Sequence, residues 1–185
     1  MALNKVRISE LISLVNEKNV ENRDLPFYGI NKDKQFMPTQ ASTSSLDRAN
    51  YKVMTRERFV FSGMQTGRDM CIRIGLYTFD FDALVSPAYT TFCITSDLVI
   101  PEYFFMIFNS KEMDRYGAFL SDGSVRANLD WDVFCGIELL LPDVTIQRKY
   151  ASIYSAFIKN SGLQQDADRT CPILVAGALS EARRQ

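Results

Sequence analysis

Short β-type runs, several of them alternating apolar and polar residues, recur along the first half of the chain, separated by polar turns. They are Phe27-Tyr28-Gly29-Ile30, Tyr51-Lys52-Val53-Met54, Arg58-Phe59-Val60-Phe61, Cys71-Ile72-Arg73-Ile74 and Tyr89 through Ile94. Alternation with a period of two places one set of side chains on a buried face, so these runs predict half-buried strands. Ser62-Gly63 follows one of them as a turn signal, and residues 39–50, rich in Ser, Thr, Ala and Asn, predict a long surface loop.

The pattern then changes to a helical one. Pro101-Glu102 suits the first turn of a helix, because proline lacks only an unneeded N–H there and an acid favours the positive end of the helix dipole. Tyr103, Phe104, Met106, Ile107 and Phe108 make that helix too apolar for a surface position, so it is expected to be largely buried. Lys111 to Phe119 predicts a second helical piece ending near Ser121-Asp122-Gly123, and Trp131 to Phe134 a single helical turn. Ile137 to Leu141 predicts a buried strand stopped by Pro142. A long helix is expected from Asp143, a suitable N-cap. On it, Ile146, Tyr150, Ile153 and Phe157 are spaced as in a heptad, which gives a narrow seam for another helix, continued by Asn160 and Gln164. The same spacing also fits an amphipathic helix lying on its own domain. The fold class is therefore α+β: an irregular, β-rich globule over residues 1–142, followed by a helical region and tail over 143–185.

Composition narrows the function. The 185 residues are 46% hydrophobic and 12% aromatic, enough for a packed core and unlike a disordered chain. No stretch approaches the roughly 20 apolar residues of a membrane helix, and the start does not read as a secretory signal, so a cytoplasmic location is expected. Cys71, Cys93, Cys135 and Cys171 are widely spaced and predict reduced, mostly buried thiols rather than a metal site. The chain has no histidine, which removes Ser-His-Asp and Cys-His catalysis and His-based metal hydrolysis. No metal or cofactor is expected.

Charge is balanced overall but not along the chain. Residues 32–73 carry eight basic groups (Lys32, Lys34, Arg48, Lys52, Arg56, Arg58, Arg68, Arg73) against four acidic ones, while residues 74–142 carry three against ten. Local positive potential, not a positive total, is what attracts phosphates, so one basic and one acidic face are permitted.

Several segments, in order, resemble the target-recognition domains of type I restriction-modification specificity subunits. They are Leu11 to Asn19, Tyr28-Gly29-Ile30, Phe36 to Thr39, Tyr51-Lys52-Val53, Phe59-Val60-Phe61, Gly67-Arg68-Asp69, Ser86 to Tyr89, Arg115-Tyr116-Gly117, Gly123 to Arg126, and Phe134 to Pro142 running on to Gln147-Arg148-Lys149. No single tetrapeptide is diagnostic; the ordered set over residues 8–160 carries the resemblance. It implies a non-catalytic module that reads double-stranded DNA through strands and loops and docks methyltransferase subunits, with restriction subunits able to join. A full specificity subunit holds two such domains, and this chain holds one. The expected repair is a twofold homodimer through the seam at Ile146, Tyr150, Ile153 and Phe157, reading two half-sites.

Cations and hydroxyls on polar turns are the candidates for DNA contact. Arg68 lies beside Gly67, and Ser124 and Arg126 share a turn with Gly123. Lys32 and Lys34 flank a loop and suit phosphate contacts, and Arg73 lies inside a predicted strand. Two of the arginines have a second reading, as a surface pair: Arg68 with Asp69 or a neighbouring carboxylate, Arg126 with Asp122 or Asp130. Two other classes of function stand beside this one. An enzyme is disfavoured, because Asp24-Leu25-Pro26-Phe27 only superficially matches an amino-methyltransferase box, no P-loop is present, and the Asp80/Asp82 pair alone does not make a nuclease. An assembly or decoy subunit that binds methyltransferase subunits without reading DNA fits the acidic 74–142 region. The DNA target itself is not encoded in any pattern visible here.

Overall fold

A computed structural model of the chain describes residues 3–39 and 46–161. It is an α+β protein whose described residues fall into two compact units, threaded by several passages of the chain. One unit takes the residues up to Leu11, the segment Gly63–Ile72 and everything from Ser96 onward; the other takes Ile12–Ser62 and Arg73–Thr95.

The second of these is the β-rich unit. Its main sheet is antiparallel and four-stranded, in the order β2 (Ile12–Leu14), β9 (Thr90–Ile94), β6 (Phe59–Ser62), β7 (Arg73–Leu76). Phe59 stands directly opposite Phe92 across β6 and β9, and their rings stack with centroids 4.9 Å apart. Strand β6 is buried along its whole length because it is central. Two smaller antiparallel pairs complete the unit: the hairpin β3 (Tyr28–Ile30) with β4 (Phe36–Pro38), and β5 (Lys52–Met54) with β8 (Ala83–Val85). Met54, Val60, Tyr77, Ala83 and Val85 form one apolar core, over which Tyr28, Ile30, Phe36 and Tyr89 pack; Phe27, Val53 and Leu84 form another. The Tyr77 hydroxyl donates to the Phe81 carbonyl, and burial pushes its pKa up to about 12.

The other unit is mostly helical. A two-stranded ribbon, β1 (Asn4–Arg7) against β10 (Glu138–Leu141), sets Val6 opposite Leu139 and turns both inward. The helices are α1 (Thr66–Asp69), α2 (Pro101–Phe108), α3 (Lys111–Leu120), α4 (Trp131–Cys135) and α5 (Val144–Ser161). The apolar run expected to be buried is buried: Tyr103, Phe104, Met106, Ile107 and Phe108 of α2 all lie in the core. The Ser110 hydroxyl caps α3 by accepting from Met113 N–H, and Asp143 accepts from Thr145 N–H at 2.8 Å at the start of α5. Pro142 is buried and the unit runs through it into α5.

Strand boundaries differ from expectation in one instructive place. Cys71-Ile72 precedes the strand instead of opening it, because Ile72 N–H donates to the Asp114 carboxylate rather than to a ladder partner. Among the described cysteines Cys71 is buried and Cys93 and Cys135 are half-buried, all as free thiols. Burial, with Asp132 nearby, pushes the Cys135 thiol pKa up. Cys171, Gln164 and the side chain of Asn160 lie outside the described residues, as do residues 40–45 of the expected loop. Among the described residues no helix is long and apolar enough to cross a membrane.

Candidate nucleic-acid interface

In the helical unit, α1 and the turn over residues 121–129 form one interlocked piece. Gly67 N–H donates to the Ala127 carbonyl at 2.9 Å, Gln65 N–H to Asn128 Oδ1 at 3.0 Å, and Leu129 N–H to the Gly63 carbonyl at 2.8 Å. A Cβ on Gly67 would come within 2.9 Å of Ala127 Cβ and 3.1 Å of Ser121 Cβ, so glycine is required by close approach rather than by turn flexibility. The turn is clamped from within. Asp122 Oδ1 accepts from Ser124 Oγ at 2.6 Å, Ser124 N–H at 3.2 Å and Asn128 N–H at 3.0 Å. The Ser124 hydrogen bond, seconded by the backbone amides, holds the Asp122 carboxyl below its usual pKa.

This piece brings together Arg68, Ser124 and Arg126. Arg68 donates to Gln65 Oε1 and its Nε lies 3.5 Å from Asp69 Oδ1, so the expected surface pair with Asp69 exists, while the side chain stays largely exposed. The Ser124 hydroxyl is engaged with Asp122, and Arg126 N–H leans on the same oxygen at 3.3 Å. Arg126 itself is exposed. Three of the six non-glycine residues with positive φ among the described residues lie here: Gln65 (φ 59°), Met70 (φ 50°) and Ala127 (φ 48°). Such backbone is costly and concentrates at functional sites. The sequence points to Gly123 as the permissive position, but the left-handed residue is Ala127. Gln65 had no signal in the sequence, because its role depends on Asn128, sixty-three residues away.

The β-rich unit holds the other candidates. A Cβ on Gly75 would meet Ile30 and Phe36, Phe36 packs edge-on against Tyr77 at 5.1 Å, and Tyr28 meets Phe79 at 5.7 Å. The β3–β4 hairpin therefore lies along β7 with its turn, residues 31–35, toward Arg73. Lys32 is exposed on that turn, whereas Lys34 is only 4% exposed and has φ 61°. This corrects the expectation of a surface phosphate contact for Lys34: the tight turn, closed by Asn31 and Gln35, folds it inward. Arg73 is half-buried with its Nε shielded from water.

The remaining cations of residues 32–73 are engaged elsewhere. Arg48 pairs with Asp24, donates to the Leu25 carbonyl and lies over the Phe27 ring. Arg58 pairs with Glu17 at 2.6 Å and donates to the Val53 carbonyl. Arg56 pairs with Asp80, and Lys52 donates to the Tyr89 carbonyl, its pKa lowered by burial and by Lys18. Asp80 and Asp82 are not a joint carboxylate site, since Asp82 pairs with Arg23 instead.

On α5 the face that packs in its own unit is not the heptad seam. Gln147 is fully buried: its amide donates to the Leu98 and Pro142 carbonyls and accepts from Ile100 N–H, the N-cap of α2. Ala151 is buried one turn on, and Asn109 donates to the Tyr154 hydroxyl beyond it. Of the seam, Ile146, Tyr150 and Phe157 are half-buried and Ile153 is 66% exposed.

No protein-family model matches the chain, and no curated protein matches it in sequence. Its fold matches solved structures. One is the HsdS subunit of Thermoanaerobacter tengcongensis, at TM-score 0.59 and 16% identity, covering 86% of this chain and 43% of that one. Another is a chain from a study of assembly and conformational transition of the type I R-M system, at 0.53 and 12%, covering 98% and 45%. A third is the type I restriction-modification S subunit of M. genitalium, at 0.51 and 12%, covering 96% and 45%. The chain thus has the fold found in type I S subunits and spans less than half the length of these solved chains.

Proposed function

We propose that the chain is the DNA-reading specificity component of a type I restriction-modification system, with one half-site per chain, and that it works as a homodimer in the cytoplasm. The observation that carries this reading is one of proportion. The fold of an S subunit runs through 86–98% of this chain yet accounts for 43–45% of the solved neighbours, as a single recognition module with one helical region would. Arg68 and Arg126 on the clamped loop pair are the base-edge candidates, with Ser124 as a positioning residue; Lys32 and Arg73 supply phosphate contacts. The half-buried seam of α5, with Ile153 exposed on it, joins two copies and sets two half-sites in twofold symmetry. Residues 143–185 also dock the methyltransferase subunits, and restriction subunits join that complex. The chain itself performs no chemistry.

The test is selection of random duplexes by the purified protein, alone and with a methyltransferase partner. An interrupted palindrome is expected. Ile153→Asp should yield a folded monomer by sedimentation that recovers only the half-site. Failure to enrich any sequence, with or without a partner, rejects the reading.

One observation favours a second reading, an assembly or decoy subunit that binds methyltransferase subunits without reading DNA. Arg48, Lys52, Arg56 and Arg58 are tied to partners within the chain, which lowers the positive potential of the segment richest in cations. Salt dependence separates the two, because only phosphate neutralisation releases counterions from the duplex.

A further inference from the structure

We propose that Val125 reads a thymine, by packing its isopropyl group against the 5-methyl group in the major groove. The inference rests on the DNA-reading function above and names a residue that decides its specificity. Val125 is 98% exposed. A lone exposed valine is ordinary, so exposure by itself decides nothing. The backbone around it is what makes the position unusual. Three donors converge on Asp122 Oδ1, Ala127 N–H donates to the Ser124 carbonyl at 3.0 Å, Asp122 N–H donates to the Asn128 carbonyl at 2.9 Å, and Gly67 and Gln65 of the neighbouring segment hold the far side. A loose tip would fold its valine inward; this one holds it out. Ordering that would otherwise be a cost of binding is in place beforehand.

The chemistry beside Val125 selects the partner. Arg126 is adjacent and exposed, and Arg68 is held on α1 by Gln65 and Asp69. Guanidinium groups suit guanine edges and phosphates, and an apolar side chain next to Arg126 in the chain suits the one apolar feature of the major groove, the thymine methyl. A contact made only to phosphate needs no valine at the apex. A protein-docking tip needs a contiguous apolar patch, not one valine between a serine and an arginine.

The experiment uses the full chain and the duplex recovered by random selection. Each thymine of the half-site is replaced in turn by deoxyuridine, which removes only the methyl group, and binding is measured for the wild type and for Val125→Ala. At one position the wild type should lose about four- to tenfold on deoxyuridine, the worth of a buried methyl contact. Val125→Ala should lose a similar factor on the thymine duplex and no longer distinguish the two bases. Its salt dependence and its urea midpoint should be unchanged, because the side chain touches neither phosphate nor core. A recovered site with no thymine, no sensitive thymine, or undiminished discrimination by Val125→Ala overturns this inference while leaving DNA reading intact. Recovery of no preferred duplex overturns both.

Discussion

Gly117→Ala tests whether the site is positioned by packing. Gly117 lies inside α3, where alanine is normally better than glycine by about 1 kcal/mol. Here an added Cβ would lie 2.3 Å from Ile72 Cγ1 and 2.5 Å from its Cδ1, with Thr66 Cγ2 at 3.4 Å. Ile72 is fully buried, and Cγ1 is not a chain end that can swing aside. Overpacking of this kind costs about 1–3 kcal/mol, and a contact this short belongs at the upper end. After the helix-propensity gain, a net loss of about 1–2 kcal/mol is expected, read from the urea midpoint at unchanged slope. Ile72→Ala removes both offending atoms. In that background Gly117→Ala should be neutral or stabilising, a coupling that a cycle of the four proteins measures directly. Because Thr66 opens α1, whatever pushes it displaces Arg68, so binding to the selected duplex should fall more than binding to a random one. Full stability of Gly117→Ala, or the same loss with and without Ile72, would refute the argument.

Other outcomes follow from single contacts. Gln147→Ala should cost about 2–4 kcal/mol in urea unfolding, since it strands Ile100 N–H and two buried carbonyls, whereas Ile153→Ala should stay within about 0.5 kcal/mol. The Asp122 carboxyl, depressed in the folded state, should titrate by NMR below the ordinary aspartate range, and Ser124→Ala should move it back up. The clamp's contribution is therefore fully present above that range and is lost only as pH falls through the lower, folded midpoint. With Lys32, Arg68, Arg73 and Arg126 as the phosphate and base contacts, the slope of log affinity against log salt should not exceed about −3.6 per chain. A steeper slope would mean that cations outside this set also meet DNA.

Elements with many apolar positions were legible from sequence, and those held by non-local bonds were not. Helix α2 announces itself through Pro101 and a dense apolar run, and α3, α4 and β10 begin or end within a residue or two of expectation. Strand β1 escapes notice because only Val6 is buried, while Lys5 and Arg7 face Glu138 across the ribbon. Strand β8 is buried at all three positions, so it has no alternation to read. Helix α1 is four residues between two left-handed ones, and its bonds run to residues 127 and 128. Nothing in the local pattern encodes it.

The candidate site shows the same division at the level of charge. Counting gives residues 32–73 a basic excess, but charges act in pairs, and the partners Glu17, Asp24 and Asp80 all lie outside that segment. Three of its eight cations are thereby paired with carboxylates. What survives is sparse, and on the proposed reading this favours selectivity over strength: few phosphate contacts would give weak non-specific binding, and fixed groups would discriminate between bases. Helix α5 makes the converse case. Its heptad spacing marked the apolar positions correctly but not the side that faces home. Three hydrogen bonds make burial of Gln147 acceptable, so the helix turns a glutamine into its own unit and leaves Ile153 to water. A helix that buries a polar side chain and exposes an apolar one keeps a second face, and on the proposed reading that face is where a twofold copy would pack.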